Sequence, residues 1–213
     1  MDRQQAWQVI TRERARLADL LDGLTALEWD QPSLCAGWTV KHVAAHVISS
    51  PQATPWAVGV ALVRARGSFD RCIDEQARVW ADRPTDQIVA DYRRLHGSQR
   101  HPIGTTFSEP LLDVLVHSQD IAIPLGREHP MPVVAARAAA DRVWRRSFPF
   151  HARRRLGGLR LRAIDTDWAV GAGDEVAGAM ADLLLVLTGR SATLPRLTGP
   201  GVEQLQDRVS APS

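Results

Sequence analysis

Between positions 106 and 126 the chain reads TFSEPLLDVLVHSQDIAIPLG, and no other stretch restricts the fold as tightly. On a helix at about 100° per residue, Glu109, Asp113, His117 and Asp120 fall in one stripe roughly 80° wide. The rest of that helix is mostly apolar: Leu111, Leu112, Val114, Leu115, Val116, Ile121 and Ile123. A surface helix shows the reverse, a narrow apolar stripe and a broad polar face. The acidic groups and the imidazole are therefore expected to point inward, where an unpaired charge is very costly. A bound cation is the simplest compensation. Asp113 and His117, at i and i+4, stand one turn apart and are placed to share one metal ion.

A second helix carries a comparable pair. The irregular stretch WDQPSLCAGW (29–38) precedes Thr39, which caps the helix TVKHVAAHVISS, ended by Pro51. His42 and His46 lie one turn apart on it. Either histidine alone reads as an ordinary hydrogen-bonded residue, and the pair gains weight only beside the Asp113/His117 helix. His46, among Ala44, Ala45 and Val47, is preferred as the ligand. His42, beside Lys41 near the helix start, is expected to be exposed.

Other elements follow from periodicity and caps. Trp7, Ile10, Leu17, Leu20, Leu21 and Leu24 mark a long helix over about 3–24. Its charged residues Arg12, Glu13, Arg14, Arg16 and Asp19 read as solvated surface. Thr25 to Glu28 has capping-box spacing. Further helices are expected over 54–66, from Ser68 to about 80, over 85–95 and over 132–146. His101 falls in a loop and reads as solvated.

After Phe148 the character changes. The alternation of Leu159, Leu161 and Ala163, bounded by glycines, reads as one or two strands, followed by a helix over 175–189. GAGDEVAG (171–178) superficially matches a dinucleotide fingerprint, but its third glycine is misplaced and no βαβ unit surrounds it. The expected division is a helical bundle over 1–150 and a small α+β region over 151–213 packed on it. The basic run RVWRRSFPFHARRR (142–155) reads as a helix end and linker.

Composition narrows the function classes. A length of 213 residues, 45% hydrophobic and 23% charged, is ordinary for a globular protein. A net charge of +2 argues against nucleic acid as partner. Two cysteines, Cys35 and Cys72, with no CxxC, exclude a thiolate zinc finger and argue against a disulfide framework. Cys35 reads as an ordinary loop thiol. The charged N-terminus lacks a signal-peptide core and no run approaches a membrane span, so a cytoplasmic protein, monomer or homodimer, is expected.

Combining the two helices, His46, Asp113 and His117 make a two-imidazole, one-carboxylate site between helices of a bundle. Such a site suits zinc or another divalent ion with positions open for water or substrate. Asp120, one turn beyond His117, is placed to orient it by a hydrogen bond.

The same residues carry a family resemblance. WDQPSLCAGWTVKHVAAHV (29–47) and DVLVHSQDIAIPLG (113–126) resemble, in order, two signatures of the mycothiol-dependent maleylpyruvate isomerase family, of actinobacterial type, within the DinB-like superfamily. The segment after residue 158 is similar to the C-terminal part of many members. The resemblance implies a DinB-like four-helix bundle that binds a divalent metal, usually zinc, with mycothiol as cosubstrate. The matching ligands are His46, Asp113 and His117; the isomerase proper has Glu where this chain has Asp113, which bears on the substrate. The implied chemistry is isomerisation or S-transfer on a small electrophile, with arginines such as Arg71, Arg78 or Arg153 holding carboxylates. The alternative is a non-catalytic metal-binding bundle acting in stress response or through a protein partner.

Overall fold

The structure is a computed structural model that describes residues 1–52, 68–102 and 104–210. The helix expected over 54–66 lies outside the described residues. By their contacts the residues form two compact units, Asp2–His129 and Pro130–Ser213.

The first unit is helical: α1 (Arg3–Asp22), α2 (Ala26–Trp29), α3 (Val40–Ser49), α4 (Phe69–Ala81), α5 (Thr85–Leu95) and α6 (Ser108–Ala122). Caps define the starts, as their spacing predicts. Asp2 accepts from Gln5 N at 2.8 Å while Gln5 Oε1 accepts from Asp2 N at 3.1 Å. Thr25 and Glu28 form the same reciprocal pair at α2.

Helices α1 and α3 each pack against both α5 and α6, which closes a ring of four. This is a four-helix bundle, with α4 laid against α3. Ile10, Leu17, Leu21, Ile48, Ile88, Leu115 and Ile121 fill its interior, all nearly inaccessible to solvent. Each such side chain contributes about 1.5–3 kcal/mol relative to exposure. The Tyr92 hydroxyl on α5 donates to Ala44 O of α3 at 2.9 Å, a polar tie inside the core. Among the described residues no helix is long and apolar enough to cross a membrane.

The charged face of α1 departs from expectation. Arg12 and Asp19 are exposed, but Glu13 is only 3% and Arg14 1% accessible. Arg14 follows Ile10 and precedes Leu17 and Leu21 on the i, i+4, i+7 stripe that faces the bundle, so helix phase carries its charge inward.

In the second unit, α7 (Val133–Arg145) precedes α8 (Ala152–Arg155), then β1 (Leu159–Ala163), β2 (Ala169–Gly171), β3 (Asp174–Gly178), α9 (Met180–Leu187) and α10 (Val202–Ser210). The sheet order is β2-β1-β3, with β1 antiparallel to β2 and parallel to β3. Leu159, Leu161 and Ala163 turn to the buried side, as their alternation predicts. The unit begins at Pro130, ahead of the boundary expected at 150. The reason is α7: its Ala135, Ala136, Ala139, Ala140 and Val143 are buried, and the helix packs on α9.

The helix expected over 175–189 begins only at Met180, because Asp174–Gly178 pair with β1. The basic run is partly internal: the Arg155 guanidinium donates to Val186 O at 2.7 Å and Leu187 O at 3.1 Å, satisfying the last carbonyls of α9.

Gly171 and Gly173 of GAGDEVAG serve the β2–β3 turn, while Gly178 ends β3. Gly173 has φ +118°, and a Cβ there would stand 2.0 Å from Gly158 O. Gly173→Ala is expected to destabilise this unit by about 3 kcal/mol from backbone strain and collision, read as earlier urea unfolding by Trp168 fluorescence. A change below about 1 kcal/mol would show that the turn adapts.

Candidate metal centre

Helices α3 and α6 lie side by side in the ring and carry the expected residues. His46 Nε2 is 3.3 Å and His117 Nε2 3.4 Å from the same atom, Asp113 Oδ1. The imidazoles meet edge to face, centroids 5.1 Å apart at 82°. All three potential ligand atoms lie within 4.8 Å of one another.

These separations discriminate between two arrangements. A charge-assisted N–H···O bond runs about 2.7–2.9 Å. Two ligand atoms of a tetrahedral zinc, each about 2.1 Å from the ion, stand roughly 3.4 Å apart. The observed 3.3 and 3.4 Å match the ligand spacing better than a hydrogen bond, and a nitrogen–oxygen donor set of two imidazoles and one carboxylate suits a divalent first-row ion. The residues fit the metal that the sequence implies. The shorter aspartate side chain reaches both imidazoles.

On the far edge of its ring His117 Nδ1 lies 2.7 Å from Asp120 Oδ2, a carboxylate with no exposed surface. That is a hydrogen bond, in which Nδ1–H donates. It fixes the ring's orientation and leaves Nε2 toward Asp113, the arrangement of a carboxylate behind a ligating histidine. The Cys35 thiol donates to the same Oδ2 at 3.1 Å and lies 3.7 Å from His117 Nδ1. Cys35, His117 and Asp120 thus form a second cluster of ligand-type atoms. Its 2.7 Å contact is too short for two ligands of one ion, so this cluster is a hydrogen-bonded relay. His46 is less constrained: its buried Nδ1 has no hydrogen-bond partner among the described residues.

Without an ion, electrostatics hold the trio as an ion pair. Burial would raise the Asp113 pKa, but the charge of His46 and the polar contacts of both imidazoles hold it far below the usual carboxylate range. Burial would lower that of His117, but its polar contacts with Asp113, Asp120 and Cys35 raise it well above its ordinary value. Both shifts follow from paired opposite charges in a poorly solvated place.

The walls supply further groups. Trp38 packs on His46 at 5.3 Å between centroids, and its indole N–H donates to Asp74 Oδ1 at 2.8 Å. Asp74 in turn pairs with Arg78 at 3.0 Å, so Arg78 connects to the site through Trp38. Arg14 donates to Ser98 O at 2.9 Å. Burial lowers its pKa, while the charge of Asp113 and the Tyr92 hydroxyl support its protonated form.

Other expected residues lie elsewhere. His42 is half-buried, and its Nδ1 bonds the Thr39 hydroxyl at 2.8 Å in a cap of α3. Glu109 accepts from Thr106 N and Oγ1 at 2.6 and 2.7 Å at the start of α6. His101 is half-buried and stacked on Trp7. Arg71 is exposed on α4, and Arg153 belongs to the second unit, over Trp144. Sequence reasoning missed Arg14, Trp38 and Cys35. Arg14 had a usable signal, a charge on the apolar stripe of α1. The other two sit on an irregular loop, where spacing says nothing about direction.

Comparison with known proteins adds the following. Residues 10–100 match the model of the mycothiol maleylpyruvate isomerase N-terminal domain, a span that contains His46 and ends before Asp113. Two crystal structures, one of the mycothiol-dependent maleylpyruvate isomerase and one of a histidine-to-alanine mutant, each share the fold with a TM-score of 0.66. Each is 15% identical, over 94% of this chain and 93% of theirs. No curated protein matches the chain.

Proposed function

We propose a metal-dependent enzyme with a low-molecular-weight thiol, mycothiol, as cosubstrate, a reading supported by the match of residues 10–100 to the mycothiol maleylpyruvate isomerase N-terminal domain. Its substrate is a small electrophile, and the reaction is isomerisation or S-transfer. The observation that carries this reading is the convergence of His46 Nε2 and His117 Nε2 on Asp113 Oδ1 at ligand spacing.

His46, Asp113 and His117 would hold the divalent ion, zinc by preference for this donor set. When bound, such an ion lowers the pKa of a coordinated thiol and so supplies a nucleophile at neutral pH. The protein's own groups do the rest. Asp120 keeps the Nδ1 proton of His117 and so keeps its Nε2 lone pair available. Trp38 covers one face of His46. Arg78, held by Asp74, is the cation tied to that wall and is suited to a substrate carboxylate.

The deprotonated thiol sulfur adds to one carbon of an activated cis double bond, the π electrons pass to the conjugated carbonyl as an enolate, and the former double bond rotates as a single bond. Expulsion of the sulfur restores the alkene in its trans form and returns the thiol unchanged. Retention of the sulfur, with the enolate carbon taking up the proton the thiol lost, is S-transfer.

The test incubates zinc-loaded protein with mycothiol and maleylpyruvate, then with other activated alkenes, epoxides and halides. Expected is turnover that requires both thiol and metal and is lost on chelation. No turnover of any electrophile by a protein that does bind zinc would overturn the enzymatic reading. Asp120→Asn is expected to weaken zinc affinity about 10–100-fold by removing the carboxylate behind His117, measured by competition with a chromophoric chelator. Unchanged affinity would remove Asp120 from the scheme.

A further inference from the structure

We propose that Cys35 is a positioning residue of this centre: its S–H group donates to Asp120 Oδ2 and, through that carboxylate, sets the orientation of His117. The inference rests on the metal reading above.

Three sets of observations support it. Asp120 Oδ2 is a shared acceptor, receiving His117 Nδ1–H at 2.7 Å and the thiol at 3.1 Å. A buried carboxylate needs several donors, and the loss of one weakens the hold on its orientation.

The thiol is also aimed by a loop with its own hydrogen-bond scaffold. Ser33 N and Oγ donate to Trp38 O at 2.9 and 2.8 Å, Cys35 N donates to Ser33 Oγ at 3.1 Å, and Trp38 N returns to Cys35 O at 3.0 Å. Gly37, at φ +77°, takes the left-handed conformation that the tight turn requires.

The loop is finally pinned to the site's own helix, because Leu34 N donates to Asp120 O at 3.1 Å. Main chain and side chain of Asp120 are therefore both held by consecutive loop residues. The same loop delivers Trp38 to His46, so one irregular segment braces both imidazoles. Cys35 lies 3.1 Å from Asp120 Oδ2 and 3.7 Å from His117 Nδ1, on the edge of the ring turned away from Asp113, and its contribution is a donor rather than a nucleophile.

Zinc affinity of the full chain, by competition with a chromophoric chelator, tests this in wild type, Cys35→Ala and Cys35→Ser, alongside the thermal midpoint of each metal-free protein. Expected is about tenfold weaker binding in Cys35→Ala, the low end for an outer hydrogen-bond partner, with recovery to within about threefold of wild type in Cys35→Ser, whose hydroxyl restores a donor. A purely packing role would shift the midpoint while leaving affinity in place. Wild-type affinity in Cys35→Ala, or no recovery in Cys35→Ser, overturns the inference alone. A wild-type protein that takes up no zinc overturns the metal reading and the inference together.

Discussion

Replacing His117 with alanine is expected to reduce bound zinc from about one equivalent to below about a tenth, with affinity falling more than about a hundredfold. His117 links both clusters of the site: its Nε2 faces Asp113 and its Nδ1 faces Asp120 and Cys35. Its loss removes a ligand and leaves two carboxylates short of a donor. Asp113→Ala is expected to match it, because Oδ1 is the atom on which both imidazoles converge. Elemental analysis after gel filtration measures the content, and circular dichroism verifies that the helices persist. His42→Ala is the control; its Nδ1 is engaged in the cap of α3, so zinc content is expected to stay at the wild-type level. Full zinc in His117→Ala would place the metal elsewhere.

Arg14→Ala is expected to destabilise the helical unit by about 3–5 kcal/mol, the usual consequence of breaking a buried charge arrangement. A fall in thermal midpoint of roughly 10 °C corresponds to this. The guanidinium is 1% accessible, donates to Ser98 O and supports the charge of Asp113 from inside the bundle. Its removal leaves a cavity and deprives the Asp113 carboxylate of a favourable neighbour. Arg14→Met, which keeps much of the volume, separates the two effects: it is expected to recover the packing part only. Chemical denaturation of chelator-treated protein measures both variants. A loss below about 1 kcal/mol in Arg14→Ala would mean that the charge is solvated after all.

The pattern of legibility has a physical basis. Asp113, His117 and Asp120 were readable because a helix has a fixed phase. An 80° polar stripe on an apolar helix points one way whatever the rest of the chain does. Capping residues such as Thr25 and Glu28 were readable because their bonds close within three positions. Phase also held the clue to Arg14, but composition outweighed it: charges on a long terminal helix usually meet water. Strand β3 was misread as helix because Val176 and Ala177 satisfy either periodicity, and only pairing with β1 selects one. The division near residue 130 was likewise a matter of which face α7 buries, and its alanines suit several neighbours.

The amino-acid order by itself determined the long described helices of the first unit, the caps of α2 and α3 and the inward stripe of α6, because those depend on interactions a few residues long. Only the tertiary structure decided that His46 meets Asp113, that Cys35 reaches Asp120 across the loop before α3, and that Arg14 is enclosed by the bundle. Those contacts join residues from about 65 to 100 positions apart, and their distances depend on how side chains of separate helices pack. No local periodicity encodes that distance.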